Sequence, residues 1–264
     1  MDLQLQGKRA LITGSTSGIG WAIARELAAE GASVILNGRD PARLADALAR
    51  LRAEVPGAAA QGVAADLSSA NGCRQLLEVA GDVDILVNNL GIFEPKPFEE
   101  IADDDWLRFF EVNVMSGVRL ARQQLPAMKA RGWGRIVFIS SESGICPPAE
   151  MVHYGMSKSA QLSVSRGLAE TCAGTGVTVN AVLPGPTRTE GVGEFFATLA
   201  REAGQTLQEA EQDFFKHARP TSLLKRFIEP AEVAAMVAYV CSPRAAATNG
   251  AALRADGGVV RSLT

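Results

Sequence analysis

The sequence is poor in the residues that build metal and disulfide sites. It has four cysteines, Cys73, Cys146, Cys172 and Cys241, none in a CxxC pair, and two histidines, His153 and His217. Ligands so few and so dispersed exclude a zinc site built on Cys and His. Scattered single thiols point to a reduced, cytoplasmic protein. No apolar run reaches the ~18–20 residues that cross a bilayer, and no signal peptide fits ahead of the strand-like run at Lys8. We therefore expect no membrane partner. Positive excess is missing too: the formal net charge is -3, which argues against a nucleic-acid partner.

What the chain does have is the balance of a soluble globular protein, 264 residues with 47% hydrophobic and 21% charged. Short apolar runs alternate with helical spacing. Ala10-Leu11-Ile12 precedes a glycine turn; Ile19, Ile23 and Leu27 then recur every four residues, on one helix face that Gly31 ends. Val34-Ile35-Leu36 reads as the next strand. Asp40 followed by Pro41 reads as an N-cap and first-turn proline, opening a helix toward Glu54. Further strands are expected at 61–65, 85–87, 136–139, 177–182 and 252–255, with helices at 69–79, 154–171 and 230–240. Asp103-Asp104-Asp105 opens a long helix to about Arg131, placing negative charge where the helix dipole favours it. The strands are continuous apolar runs rather than alternations, so both sheet faces are covered. This predicts a Rossmann-like, doubly wound α/β fold, a parallel sheet of about seven strands with helices on both faces. No linker or composition shift divides the chain, so we expect one domain over 1–264. The strand–helix rhythm breaks only at about 187–227, where Val192, Phe195, Phe196 and Leu199 share a face and Thr206 with Glu209 forms a possible capping box.

Residues 13–20 read TGSTSGIG between a strand and a helix. Gly14 allows a sharp turn, Gly18 lets backbone approach a pyrophosphate, and Gly20 lets helix pack close to strand. The helix start then offers free N–H groups and partial positive charge to phosphates. A purely structural turn remains the alternative, since the spacing is not G-x-G-x-x-G. An acid about 20 residues on would bond the ribose hydroxyl of NAD. Here Gly38 takes that place with Arg39 beside it, and a guanidinium suits the 2′-phosphate of NADP. NADP is favoured and NAD stays open.

Tyr154 and Lys158 stand at i and i+4 of a helix. A free phenol titrates near ~10; a neighbouring positive charge lowers that and fits the phenol for acid–base work. By itself such a pair is also an ordinary solvated helix face. Ser141, thirteen residues before Tyr154, follows the strand at 136–139, and strand carboxyl ends line the crevice of a doubly wound sheet. Asn113 lies inside the long helix before that strand.

With TGSTSGIG, these residues, NNLG at 88–91 and PG at 184–185 resemble, in order and from Lys8 to Gly258, the short-chain dehydrogenase/reductase family of the short single-domain type, including 3-oxoacyl-[acyl-carrier-protein] reductases and related carbonyl reductases. The resemblance implies a catalytic tetrad. Tyr154 would be the acid or base on the substrate oxygen, and Lys158 would tune it and hold the nicotinamide ribose. Ser141 would bond the developing oxyanion, with Ser140 a rival that the spacing disfavours. Asn113 would bind a relay water. For the cofactor it implies the turn residues Gly14, Ser15, Ser17, Gly18, Ile19 and Gly20. Arg39 would lie at the adenosine phosphate, with Asp66 and Leu67 near the adenine. Asn88 and Gly91 would lie at the ribose, and Pro184, Gly185 and Thr187 beside the nicotinamide. Ser17 stands where many NADP-using members carry a basic residue.

The implied activity is hydride transfer between NADP(H) and a carbonyl or secondary alcohol, a 3-oxoacyl or other hydrophobic ketone among the candidates. The implied assembly is a homo-oligomer, tetramer or dimer, through the faces at 112–125 and 162–169. Residues 187–227 would form a substrate lid, with Phe195, Phe196, Phe214, Phe215 and Trp106 as pocket walls or as core anchors. Leu90 replaces a small residue of the family motif and would narrow the space near the cofactor. Glu142 is unusual beside the serine; it would polarise a substrate amine or hydroxyl, or be a solvated strand-end carboxylate. His153 reads as structural or substrate-lining. The alternative from another class is a non-redox nucleotide-binding sensor or scaffold on the same fold, which needs no Tyr–Lys pair.

Overall fold

The computed structural model describes residues 1–263, except the side chains of Phe195, Leu199 and Glu202. The expectations placed on Phe195 and Leu199 as side chains therefore lie outside the described residues. Seven strands form one parallel sheet in the order β3-β2-β1-β4-β5-β6-β7. They are β1 (Arg9–Ile12), β2 (Ser33–Gly38), β3 (Ala60–Ala64), β4 (Ile85–Asn88), β5 (Gly134–Ile139), β6 (Val177–Pro184) and β7 (Ala252–Ala255). The order reverses between β1 and β4, so the crevice of the fold opens at the carboxyl ends of those strands.

Helices α1 (Gly18–Ala29), α2 (Pro41–Glu54) and α9 (Pro230–Cys241) cover one face; α3 (Ala70–Ala80), α5 (Ser116–Ala130) and α6 (Val152–Thr171) cover the other. Strand side chains alternate between the two cores: Ala10 and Ile12 enter one, Leu11 the other. Every residue of β4, β5 and β6 is buried, the polar Arg135, Thr178 and Asn180 included, so both faces of those strands are covered. The edge strand β3 is half exposed and was correspondingly faint in the sequence. Asp40 caps α2 as expected, its carboxylate accepting the N–H groups of Ala42 and Arg43, with Pro41 in the first turn.

The long helix expected from Asp103 is interrupted. It runs as α4 (Asp103–Phe110), a π turn over Glu111–Met115, and α5. The π turn holds Asn113, and such bulges inside helices are frequent at functional sites. Between β6 and α9, α7 (Glu190–Ala203) and α8 (Leu207–Asp213) close on a small core of their own, Phe196, Ala200, Ala210, Phe215 and Phe227. Gly204 at φ 65 ends α7, and the Thr206–Glu209 capping box starts α8. The segment leaves and rejoins the sheet at one place, the parallel bridge between Thr187 and Ile228. Among the described residues no helix is long and apolar enough to cross a membrane.

Candidate active site

The glycine turn leaves β1 at the crevice, with Gly14 at φ 59 and Gly18 at φ 57, backbone that a side chain would strain. A Cβ on Gly20 would lie 2.4 Å from both Gly14 O and Asn89 Nδ2. Two asparagines shape the turn. Asn89 donates from Nδ2 to the carbonyls of Thr13 and Gly14 (2.9 and 3.0 Å), and its N–H reaches Thr13 Oγ1. Asn37 accepts the Gly14 N–H and donates to Val63 O and Ala65 O. Ser15 is buried, donating to Ile12 O and accepting from Asn37 N–H. Ser17 stands at the start of α1 without a side-chain cap, whereas α2, α3, α7 and α8 are capped by Asp40, Ser69, Thr189 and Thr206. A helix start left open behind backbone this close-fitting suits a pyrophosphate.

At the end of β2, a Cβ on Gly38 would lie 2.5 Å from Thr16 Cγ2, so no acidic side chain fits there without displacing Thr16. Arg39 follows, exposed and without an ion-pair partner among the described residues. Asp66, at the end of β3, is exposed and accepts the Ser68 N–H, while Leu67 is buried in the core. The residues present therefore fit a dinucleotide whose adenosine end lies over β2 and β3.

The residues expected to form a tetrad lie on the other side of the crevice. Ser141 caps a short 3-10 turn after β5, accepting the Ser143 N–H. Ser140 is spent elsewhere: it donates to Lys158 O and ties α6 to the sheet. Tyr154 and Lys158 follow on α6, with Lys158 Nζ 5.6 Å from the phenol ring centroid and donating to Ile139 O at 2.9 Å. Asn113 binds Ile92 twice, accepting its N–H and donating to its carbonyl, and donates also to Ser157. Its main-chain carbonyl accepts from Gln161 Nε2 at 2.6 Å.

The electrostatics differ from the expectation that Lys158 lowers the Tyr154 pKa. Burial raises the phenol above its ordinary value, and the nearby Glu142 carboxylate raises it further; Ser141 and Arg219 oppose them weakly. Burial also pushes Lys158 down to about 7, so it holds its charge only partly at neutral pH. Desolvation penalises both charged forms, and Glu142 favours charge on Lys158 while opposing it on Tyr154.

Above these residues lies a cavity of about 500 Å³. Ser141, Tyr154, Lys158, Gly91, Ile19, Pro184, Gly185 and Thr187 border it on the sheet side. Its wall is aromatic: Phe93, Phe196, Phe214 and Phe227. Thr187 is buried and donates to Gly185 O, so its hydroxyl is turned inward. Glu142 also lines the cavity at 6% exposure, which rules out the solvated carboxylate. It accepts the Ser141 hydroxyl at 2.5 Å and faces Arg219 Nε at 3.5 Å. Arg219, carried in by the segment after α8, also meets Glu150 at 3.2 Å.

Several expected residues sit apart from the cavity. Asn88 is buried against Gly117 with neither amide atom hydrogen-bonded, so its neighbour Asn89 is the one that serves the turn. Leu90 lies against Gly14 and leans on the core. Phe215 is buried under the α7–α8 segment, and Trp106 packs on Phe98 and His153. His153 is fully buried against Phe109, both ring nitrogens unpartnered, and does not line the cavity. Phe93 and Phe227 were missed. Asn89 belongs to the 88–91 motif expected at the ribose and serves the glycine turn instead. The pairing of Arg219 with Glu142 carried no signal, because it spans 77 positions of sequence.

Comparison with known proteins places these features in context. The family model described as short chain dehydrogenase matches residues 8–200. The chain is 52% identical over 263 residues to the uncharacterized oxidoreductase YvaG of Bacillus subtilis (strain 168), covering 100% of both chains. It is 35% identical over 263 residues to the 3-oxoacyl-[acyl-carrier-protein] reductase FabG of Aquifex aeolicus (strain VF5), covering 98% of this chain and 100% of that one. The structure of L-sorbose reductase from Gluconobacter frateurii, complexed with NADPH and L-sorbose, superposes with a TM-score of 0.95 at 34% identity, covering 100% of both chains.

Proposed function

We propose, from the premise that this chain belongs to the short-chain dehydrogenase/reductase family of NAD(P)-dependent carbonyl oxidoreductases, that it uses NADPH to reduce a ketone with an apolar body to a secondary alcohol. The nicotinamide, when bound, supplies the hydride. Tyr154 gives its proton to the carbonyl oxygen as the alcohol forms, and Ser141 hydrogen-bonds that oxygen while negative charge grows on it. Lys158, beside the phenol and anchored on Ile139 O, would hold the ribose. Asn113 fixes the Ile92 loop and Ser157 behind the pair and acts as a positioning residue.

The observation that carries this reading is Ser141, Tyr154 and Lys158 on one side of a single aromatic-walled cavity. The raised phenol pKa favours the reductive direction, because it keeps the proton in place at neutral pH until an alkoxide calls for it. Gly38 and Arg39 support the preference for NADPH. So does the likeness to a reductase complexed with NADPH. Residues 187–227 act as the lid, with Phe196, Phe214 and Phe227 covering the apolar body of the substrate. The exposed Leu107 and Phe110 on α4 support assembly as a homo-oligomer, a tetramer or dimer. The unpaired cysteines support a place in the reducing cytoplasm. The test is turnover of a panel of ketones and secondary alcohols with NADPH and with NADH. Reduction of aryl and alkyl ketones with NADPH ahead of NADH is expected; tight dinucleotide binding without turnover of any carbonyl would overturn the reading in favour of a sensor or scaffold.

A further inference from the structure

Glu142 is a carboxylate that carbonyl reduction itself does not require. It is buried in the wall of the cavity beside the serine that must bind the carbonyl oxygen. Its Oε2 accepts the Ser141 hydroxyl at 2.5 Å, so the proton Ser141 needs for the substrate is committed to Glu142 beforehand. A guanidinium from the lid segment faces the other oxygen, Arg219 Nε to Oε1 at 3.5 Å, and that guanidinium is shared with Glu150.

We propose that Glu142 selects a ketone carrying a hydroxyl on the carbon next to the carbonyl, an α-hydroxy ketone, by accepting that hydroxyl's hydrogen bond. The inference rests on the reading of this cavity as a ketone-reducing site. It follows from an exchange of donors. When a carbonyl oxygen docks on Ser141, the serine hydroxyl turns to it and leaves Glu142. With a plain ketone, the buried carboxylate loses a close donor and gains none, a loss that costs more for a charged group than for a neutral one. With an α-hydroxy ketone, the vicinal hydroxyl oxygen stands about one hydrogen-bond length (~2.8 Å) from its own carbonyl oxygen. That matches the Ser141 to Glu142 spacing, so the four oxygens close a ring and the substrate hydroxyl takes the place that Ser141 vacates.

Charge narrows the class further. Glu142 and Glu150 both face Arg219, so a carboxylate or phosphate set beside Glu142 on the substrate meets like charge. The hydroxyl is untouched by the reaction. Hydride adds to the carbonyl carbon, the Tyr154 proton to its oxygen, the cofactor is oxidised, and the product is a vicinal diol. The apolar remainder of the substrate lies toward Phe93, Phe196, Phe214 and Phe227.

Matched pairs test this: hydroxyacetone against acetone, and phenacyl alcohol against acetophenone, each with NADPH and NADH. The hydroxylated member is expected to show a kcat/KM higher by about tenfold to 150-fold, the worth of one hydrogen bond to a charged group. Because an α-hydroxyl also activates a carbonyl intrinsically, the decisive reading is the ratio within each pair in Glu142→Gln. It should fall about tenfold or more toward the intrinsic ratio. An equal kcat/KM within the pairs, or a ratio unchanged in Glu142→Gln, would overturn the inference while leaving the reductase reading in place. Failure to reduce any ketone with either cofactor would overturn the reductase reading itself. Calorimetry on the wild-type enzyme with NADP⁺ guards against a variant that does not fold. Propylene glycol should bind at least about tenfold more tightly than isopropanol, and equal binding would again refute the role of Glu142.

Discussion

Removing the charge of Glu142 should move the pH dependence of alcohol oxidation to lower pH. Oxidation needs the Tyr154 phenolate, and both burial and Glu142 hold the phenol protonated. Glu142 Oε2 is 2.5 Å from Ser141 Oγ, and Ser141 is in turn within hydrogen-bonding reach of the phenol. Two hydrogen-bond lengths put the carboxylate about 5 Å from the phenol oxygen. At that separation and an effective dielectric of about 20, the repulsion is about 3 kcal/mol. In pH terms this is about two units. Water in the cavity mouth screens the pair, so a displacement of about one pH unit is the expected minimum. The sign is fixed: Glu142→Gln lowers the phenol pKa, so the alkaline limb of kcat/KM for oxidation shifts down, and reduction loses its acid at a lower pH than in the wild type. The assay is initial-rate oxidation of a secondary alcohol with NADP⁺ across the alkaline range in both proteins. A limb that stays in place, or shifts up, would refute the claim that Glu142 sets the protonation of Tyr154. A separate limb near pH 7 is expected from Lys158, whose pKa burial lowers to about 7 against the opposing pull of Glu142, and this limb should also move down in the variant.

Tyr154→Phe should lose about 10²–10⁴-fold in turnover while dinucleotide binding, followed by fluorescence, is retained; near-normal turnover would show that another group is the acid. Arg39→Ala should weaken NADPH far more than NADH in binding titrations, and equal losses would remove the guanidinium from the 2′-phosphate. His153 titrates below its ordinary 6.5 because it is buried. As pH falls through 6.5 the unfolded chain takes up a proton that the folded chain refuses, so stability is lost at up to about 1.4 kcal/mol per pH unit. His153→Leu also removes two unpartnered buried nitrogens. It should flatten that decline in urea melts at pH 5 to 7, and an unchanged slope would assign it to other groups.

The sheet was legible because parallel strands buried on both faces leave a strong apolar signature, and the glycine turn because backbone at positive φ leaves few residue choices. The grouping of Ser141, Tyr154 and Lys158 at one cavity was legible because the three lie close together in the chain. What remained hidden was set by tertiary packing. The π turn at Asn113 adds no residue type of its own; it arises where the helix side chain is captured by Ile92 and Ser157. The direction of the Tyr154 shift depends on how much water the fold removes, and a Tyr–Lys spacing does not encode that. Glu142 was noticed, yet its burial and its partner could not be foreseen, since Arg219 arrives from the far end of a segment marked only by an apolar helix face and a capping box.

The single bridge between Thr187 and Ile228 gives residues 188–227 a narrow neck. The hydrogen bonds there, Arg188 N–H to Ile228 O and Ile228 N–H to Pro186 O, close the excursion without borrowing a strand from the sheet. Its length is therefore nearly free to change, because doubling a closed loop costs only about 0.6 kcal/mol. Variation in that stretch can remodel the aromatic roof and the arginine it delivers while the glycine turn and the phenol keep their register. Diversification of substrate would be inherited as an exchange of one appendage on an unaltered chassis.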